Sequence, residues 1–196
     1  PTKESGVRYR LEGYLFPATY SIKESTTIES LIDEMLAAMD KTLAPHYSAI
    51  KSKNLTVNEL LTIASLVEKE GAKTEDRKLI AGVFYNRLNL GMPLQSNIAI
   101  LYAQGKLGQN ISLADDAGID TSINSPYNVY TKSGLMPGPV DSPSLDAIEA
   151  SINQTKSDNL YFVANVTDGK VYYAATQEEH DRNVAEHVNS KLNQTN

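Results

Sequence analysis

The run from Thr56 to Gly71 constrains the fold of this chain more than any other segment. Thr56 followed three residues later by Glu59 is a capping-box pattern that opens a helix. At about 100° per residue, Leu60, Leu61, Ile63, Ala64, Leu66 and Val67 form one broad apolar arc. Thr62, Ser65 and Lys69 are predicted on the opposite, solvated face. Gly71 fits the C′ position at which helices commonly end. Two carboxylates, Glu68 and Glu70, fall on the flanks of the arc just before that glycine.

A carboxyl group at the end of an apolar helix is costly to ionise and can donate a proton near neutral pH. Glu70 lies closer to the helix C-terminus, where the macrodipole and partial burial both disfavour its negative charge. Position therefore leans toward Glu70 as a general acid. Periodicity alone does not choose, and on the residues alone pairing of both glutamates with Lys69, Lys73 or Arg77 is the simpler account of the pattern.

Other chemistries fit less well. With a net charge of −6 and no Lys/Arg-rich run, the chain lacks the basic surface of a nucleic-acid binder. Its dispersed lysines do not suggest an anionic membrane surface. The absence of cysteine excludes disulfides, thiolate zinc sites and iron–sulfur clusters. His180 and His187 share one predicted helix, but their spacing is not the i, i+4 of paired metal ligands, and no H-E-x-x-H occurs. There is no G-x-S-x-G elbow, and Pro137 and Pro139 remove N–H groups that a phosphate loop would need. No metal or cofactor is expected. Asp115 and Asp116 are a conceivable second carboxylate, although their segment reads more simply as a short capped helix. Tyr outnumbers Phe 11 to 3, which suits half-buried core rings and ring-shaped polar ligands alike.

Along the chain, residues 7–22 predict a short strand and an ordered aromatic loop. Thr26 and Glu29 predict the cap of a helix that Pro45 closes. Further helices are expected from Thr74 to Gly91, from Asn97 to Gln104 before Gly105, from Ser142 and Pro143 to Ile152, and from Thr176 onward. Leu160–Val166 and Lys170–Ala174 flank Thr167, Asp168 and Gly169 as a β-hairpin. The loop-rich stretch 118–143 is too long to be a mere connection and is expected to face a ligand. The sum is an α+β chain, mostly helical with a small antiparallel β element. Its expected divisions are an N-terminal aromatic segment (1–24), a main domain (25–192) and a polar tail (193–196). No apolar stretch approaches the ~20 residues of a membrane helix, and the opening Pro1-Thr2-Lys3 suggests the soluble portion of a longer protein whose anchor lies upstream.

Seven segments then stand in a recognisable order: Leu11–Tyr20 (LEGYLFPATY), Ala64–Gly71 (ASLVEKEG), Val83–Leu88 (VFYNRL), Gly91–Ser96 (GMPLQS), Ser125–Tyr130 (SPYNVY), Gly134–Pro139 (GLMPGP) and Tyr161–Val163 (YFV). In these the chain resembles the MltG (YceG-like) endolytic murein transglycosylases, membrane-anchored bacterial enzymes that cut peptidoglycan strands. The resemblance implies a lysozyme-like catalytic domain acting at the extracytoplasmic face of the membrane, with peptidoglycan as substrate and cell-wall synthesis machinery as possible company. It assigns the catalytic role to the second glutamate of E-K-E, Glu70. It implies substrate contacts at Tyr14, Phe16, Gln95, Ser96, Tyr127, Asn128, Tyr130, Gly134 and Pro137. One departure is visible: the family usually reads L-Q-S/T-D-P-T where this chain has Leu94-Gln-Ser-Asn-Ile-Ala99, so Asn97 is a poor acid or base. The implied reaction is lytic, with Glu70 acting as acid and then base while a MurNAc 6-hydroxyl closes a 1,6-anhydro ring. A lysozyme-type hydrolase using Asp115 or Asp116, and a wall-binding or scaffolding module without catalysis, are the alternatives.

Overall fold

The computed structural model describes residues 6–109, 118–165 and 167–189. The chain is α+β. After a turn-rich N-terminal segment come α1 (Ile28–Leu43), a 3-10 turn (Ala44–His46), α2 (Tyr47–Ser52), α3 (Val57–Glu70), α4 (Thr74–Asn89) and α5 (Asn97–Gln104). A long loop then leads to α6 (Leu145–Ile152), the hairpin strands β1 (Tyr161–Ala164) and β2 (Val171–Ala174), and α7 (Gln177–Val184), which ends in a π-helical turn. The strands pair antiparallel, Tyr161 opposite Ala174. Among the described residues no helix is long and apolar enough to cross a membrane.

Helix α3 is the centre. Its Thr56–Glu59 capping box forms as expected, and Leu60 through Val67 are all buried. Full burial of a Leu, Ile or Val side chain contributes roughly 1.5–3 kcal/mol, so this one helix carries a large share of the core. The expectation of a solvated face at Thr62 and Ser65 is overturned, since both are completely buried. Each hydroxyl finds a backbone acceptor: Thr62 donates to the Asn58 carbonyl and Ser65 to the Thr62 carbonyl. Ser65 Oγ also accepts the Val140 N–H from the long loop, at 3.1 Å. Small hydroxyls that bond within the helix can be buried without an unsatisfied donor. Helices α4, α5 and α6 pack around α3. Leu60, Leu61 and Ala64 meet Met39, Leu43 and Ile50 of α1 and α2, whereas Ile63, Leu66 and Val67 join Ile80, Phe84 and Ala147.

Several boundaries differ from the sequence reading. Residues 7–22 contain no strand; hydrogen bonds from Glu12 N to Tyr9 O and from Tyr14 N to Leu11 O close successive turns. Gly13 has φ +81° there, and a Cβ on it would lie 2.4 Å from Pro139, so this position needs glycine on two counts. Helix α1 is capped by Thr27 with Ser30 rather than by Thr26 with Glu29, because the Thr26 hydroxyl is engaged by the Lys23 N–H. Pro45 does not close the region but sits in the first turn of the 3-10 helix leading into α2, where its missing N–H has no partner to lose. Ser144, not Ser142, caps α6 by accepting the Ala147 N–H. The helix from Asn97 to Gln104 with Gly105 after it, the cap at Thr176 and the hairpin stand where the sequence put them, and Gly105 takes a left-handed backbone.

Gly82 shows packing overriding propensity. It lies inside α4, where glycine is about 1 kcal/mol worse than alanine. A Cβ there would approach the Thr155 carbonyl oxygen to 2.5 Å, and that strand of chain is fixed by the Thr155 N–H donating to Lys78 O. Gly82→Ala is therefore expected to destabilise by about 1–3 kcal/mol in urea unfolding despite the better helix former; equal or greater stability would show that the crossing chain yields.

Candidate active site

The two glutamates at the end of α3 have different surroundings. Glu68 is locked. Arg77 Nη2 of α4 donates to its Oε1 at 2.7 Å, and the Ser144 backbone N–H and hydroxyl both donate to Oε2. Arg77 also bonds Asp146 at 2.6 Å and, through Nε, the Gly71 carbonyl at 2.9 Å. Burial raises the Asp146 pKa, but hydrogen bonds from Arg77 and Thr74 outweigh it and hold the carboxyl below its ordinary value. Glu68 thus joins the ends of α3 and α4 to the cap of α6. Gly71 ends the helix as expected, but with an extended backbone (φ −110°) rather than the left-handed one common at that position. It is glycine because a Cβ would lie 2.7 Å from Arg77 Cγ.

Glu70 faces elsewhere. It lines a cleft of about 440 Å³ and accepts a 2.7 Å hydrogen bond from the Ser96 hydroxyl. Ser96 is the N-cap residue of α5, yet its side chain serves Glu70 instead of the helix. The residue before it, Gln95, adopts a left-handed backbone with φ +55°, an uncommon state for a non-glycine residue that needs outside support. That support is visible: Gln95 N–H donates to Val129 O, and Arg87 Nη1 donates to Gln95 Oε1. Arg87 is 5% exposed and also bonds the carbonyls of Pro93, Leu94 and Leu160. Burial pulls its pKa below the ordinary arginine value. Tyr130 reaches the cleft from the long loop and donates to Asn97 Oδ1 at 2.5 Å. Among the described residues lining the cleft, Glu70 is the only carboxylate.

The structure brings Gln95, Ser96 and Tyr130 together around Glu70. The remaining expected contact residues are placed differently. Asn128 is buried inside the long loop, donating to Thr121 O and Ile123 O and accepting from the Tyr130 and Thr131 N–H groups. Tyr127 is buried against Tyr102 and accepts the Arg8 N–H. Asn58 of α3 donates to the Pro137 carbonyl and accepts the Tyr14 hydroxyl. Phe16 and Tyr14 pack on the cluster beneath α1, and Gly134 supplies a turn at φ +88°. None of these lines the Glu70 cleft. Asp115 and Asp116 lie outside the described residues.

Arg87, the hairpin and α7 are cleft-lining features that sequence reasoning missed. Tyr161, Phe162, Val171, Gln177 and His180 line the side opposite in sequence to α3–α5. The hairpin itself was legible, but its packing on α4, through the edge-on contact of Phe162 with Phe84 at 6.0 Å, is a long-range fact without a local signal. His180 and His187 stack on Tyr161 and Tyr172, and no group of three or more His, Asp or Glu residues able to hold a metal occurs among the described residues.

Comparison with known proteins bears on this geometry. A match to the YceG-like family runs over residues 1–186. The chain belongs to the YceG-like family. It is 88% identical over 193 residues to a Streptococcus pneumoniae serotype 2 (strain D39) protein named endolytic murein transglycosylase, covering 98% of this chain and 35% of that one. A Bacillus subtilis (strain 168) protein of the same name is 38% identical over 186 residues, covering 94% of this chain and 50% of that one. The crystal structure of a YceG-like protein from Listeria monocytogenes superposes with a TM-score of 0.82 at 40% identity, covering 91% of this chain and 57% of that one. This YceG-like chain spans about a third of the length of its pneumococcal relative.

The different surroundings predict different consequences for folding. Glu68→Gln should lower stability by about 1–3 kcal/mol, since it weakens a half-buried ion pair and a cap. Glu70→Gln should change it by less than about 0.5 kcal/mol. Urea unfolding of the two variants checks this, and equal losses would contradict the division.

Proposed function

We propose that this chain is the catalytic portion of an endolytic murein transglycosylase, acting on peptidoglycan outside the cytoplasmic membrane, with Glu70 as its acid and then its base. The observation that carries the reading is Glu70 as the one carboxylate among the described cleft residues, held by Ser96, while its neighbour Glu68 is consumed by Arg77 and Ser144. The names of the pneumococcal and Bacillus relatives support the substrate class.

A single carboxyl group suits lytic cleavage. Protonated Glu70 donates to the glycosidic oxygen between MurNAc and GlcNAc as positive charge grows at the anomeric carbon. The C–O bond breaks and the proton leaves with the departing sugar. The carboxylate then takes the proton of the same MurNAc 6-hydroxyl, whose oxygen bonds to the anomeric carbon and closes the 1,6-anhydro ring. Glu70 ends as it began, protonated. A hydrolase needs a second carboxylate to activate water or form a glycosyl-enzyme; an internal hydroxyl gains its advantage from proximity. Ser96 orients the carboxyl, and Arg87 holds the Pro93–Gln95 segment that carries Ser96 into place.

Digests of intact peptidoglycan, read by mass spectrometry, should contain anhydro-MurNAc ends. Glu70→Gln should lower their yield by at least ~10²-fold, the scale of general acid–base action. Glu68→Gln, assayed well below its unfolding temperature, should retain substantial activity. Reducing MurNAc ends alone would point to hydrolysis, and an active Glu70→Gln would remove the residue from its role.

A further inference from the structure

The wall made by the hairpin and α7 contains a polar group that the reaction above does not use. His180 lines the Glu70 cleft with its ring stacked on Tyr161, centroids 5.2 Å apart and planes 23° apart. Arg87 lies 4.9 Å from the centroid of the same Tyr161 ring. His180 Nδ1 is buried and has no hydrogen-bond partner among the described residues. Nε2 has no partner among them either but, unlike Nδ1, is not buried, and the residue that carries it lines the cleft. A neutral imidazole carries one N–H. Nδ1 is unpaired in either tautomer, and a stranded N–H is the rarer fault than a stranded acceptor, so we assign the proton to Nε2. Burial pushes the imidazole below the ordinary histidine value, with nearby Arg87 adding to the fall and Asp181 opposing it. The ring therefore presents a neutral N–H donor beside an aromatic face.

Resting on the glycan reading above, we propose that His180 is a substrate-binding residue whose Nε2–H donates to an acetamido carbonyl oxygen of a strand sugar in the Glu70 cleft. An amide carbonyl is a strong acceptor, and a bare N–H without a charge suits a neutral acetamido group better than a carboxylate. Tyr161 and Gln177, which line the same cleft, complete that wall.

The test uses the full chain with Glu70→Gln, so that strands are not consumed, and compares it with the same chain carrying His180→Phe, which keeps the stack and removes the donor. Peptide-free glycan strands, N-acetylated or chemically de-N-acetylated, are the probes. The acetylated strands should bind ~3–10-fold more weakly to the His180→Phe protein, the scale of one neutral hydrogen bond, whereas the de-N-acetylated strands should bind both proteins alike. In ¹⁵N spectra of the imidazoles, which number three in this chain, His180 should appear as the Nε2–H tautomer and shift on binding, with His46 unmoved. Equal binding of acetylated strands to both proteins, with His180 signals unchanged, overturns the proposal and leaves the transglycosylase reading standing. No strand binding, together with no anhydro ends from the wild-type chain, overturns both.

Discussion

Helix α3 is buried along eight consecutive residues, Leu60 to Val67, and most of the molecule is arranged to cover it. Helices α1 and α2 cap one side and α4 the other, α6 contributes to both, and the long loop closes the stretch where Ser65 receives the Val140 N–H. A helix enclosed in this way cannot rotate or slide without breaking several contacts at once, because interiors are close-packed. Its last turn is therefore a fixed point. Whatever side chains emerge there are aimed by the whole core.

That rigidity separates the two carboxylates. Glu68 emerges toward α4 and α6 and is drawn into a network with Arg77, Ser144 and Asp146 that holds three helix ends together. Glu70, two residues on, emerges toward the cleft. There its hydrogen-bond partner Ser96 is mounted on a strained Gln95 that Arg87 and Val129 hold in place. Strain of this sort persists only where the surroundings over-determine it, and it concentrates at functional sites. Loop residues such as Asn128 and Tyr127 contribute by making the loop a solid object, from which Tyr130 can extend to Asn97.

Much of this was legible in the sequence wherever the controlling interactions are local. The capping boxes at Thr56 and Thr176, the end of α5 before Gly105 and the hairpin turn all depend on residues a few positions apart. The mistakes share an opposite cause. Thr62 and Ser65 look like a solvated face, yet both are buried, and Ser65 meets the Val140 segment from 75 residues away. Gly71 looks like a left-handed cap, but it is there to admit Arg77. The preference for Glu70 over Glu68 was only a lean from the helix dipole, since the groups that distinguish them, Ser144 and Ser96, come from distant segments. Arg87 and the His180 wall carried no sequence signal as cleft residues, because their roles arise from packing across α4, β1 and α7.

The central claim is that one buried-helix carboxylate suffices because the nucleophile is a hydroxyl of the substrate itself. Cleavage of peptidoglycan strands by this chain in H₂¹⁸O tests it most directly. Ring closure within MurNAc predicts newly formed ends one water lighter than hydrolytic ends and free of ¹⁸O. An ¹⁸O atom at the new anomeric centre would show that water is the nucleophile and would contradict the account.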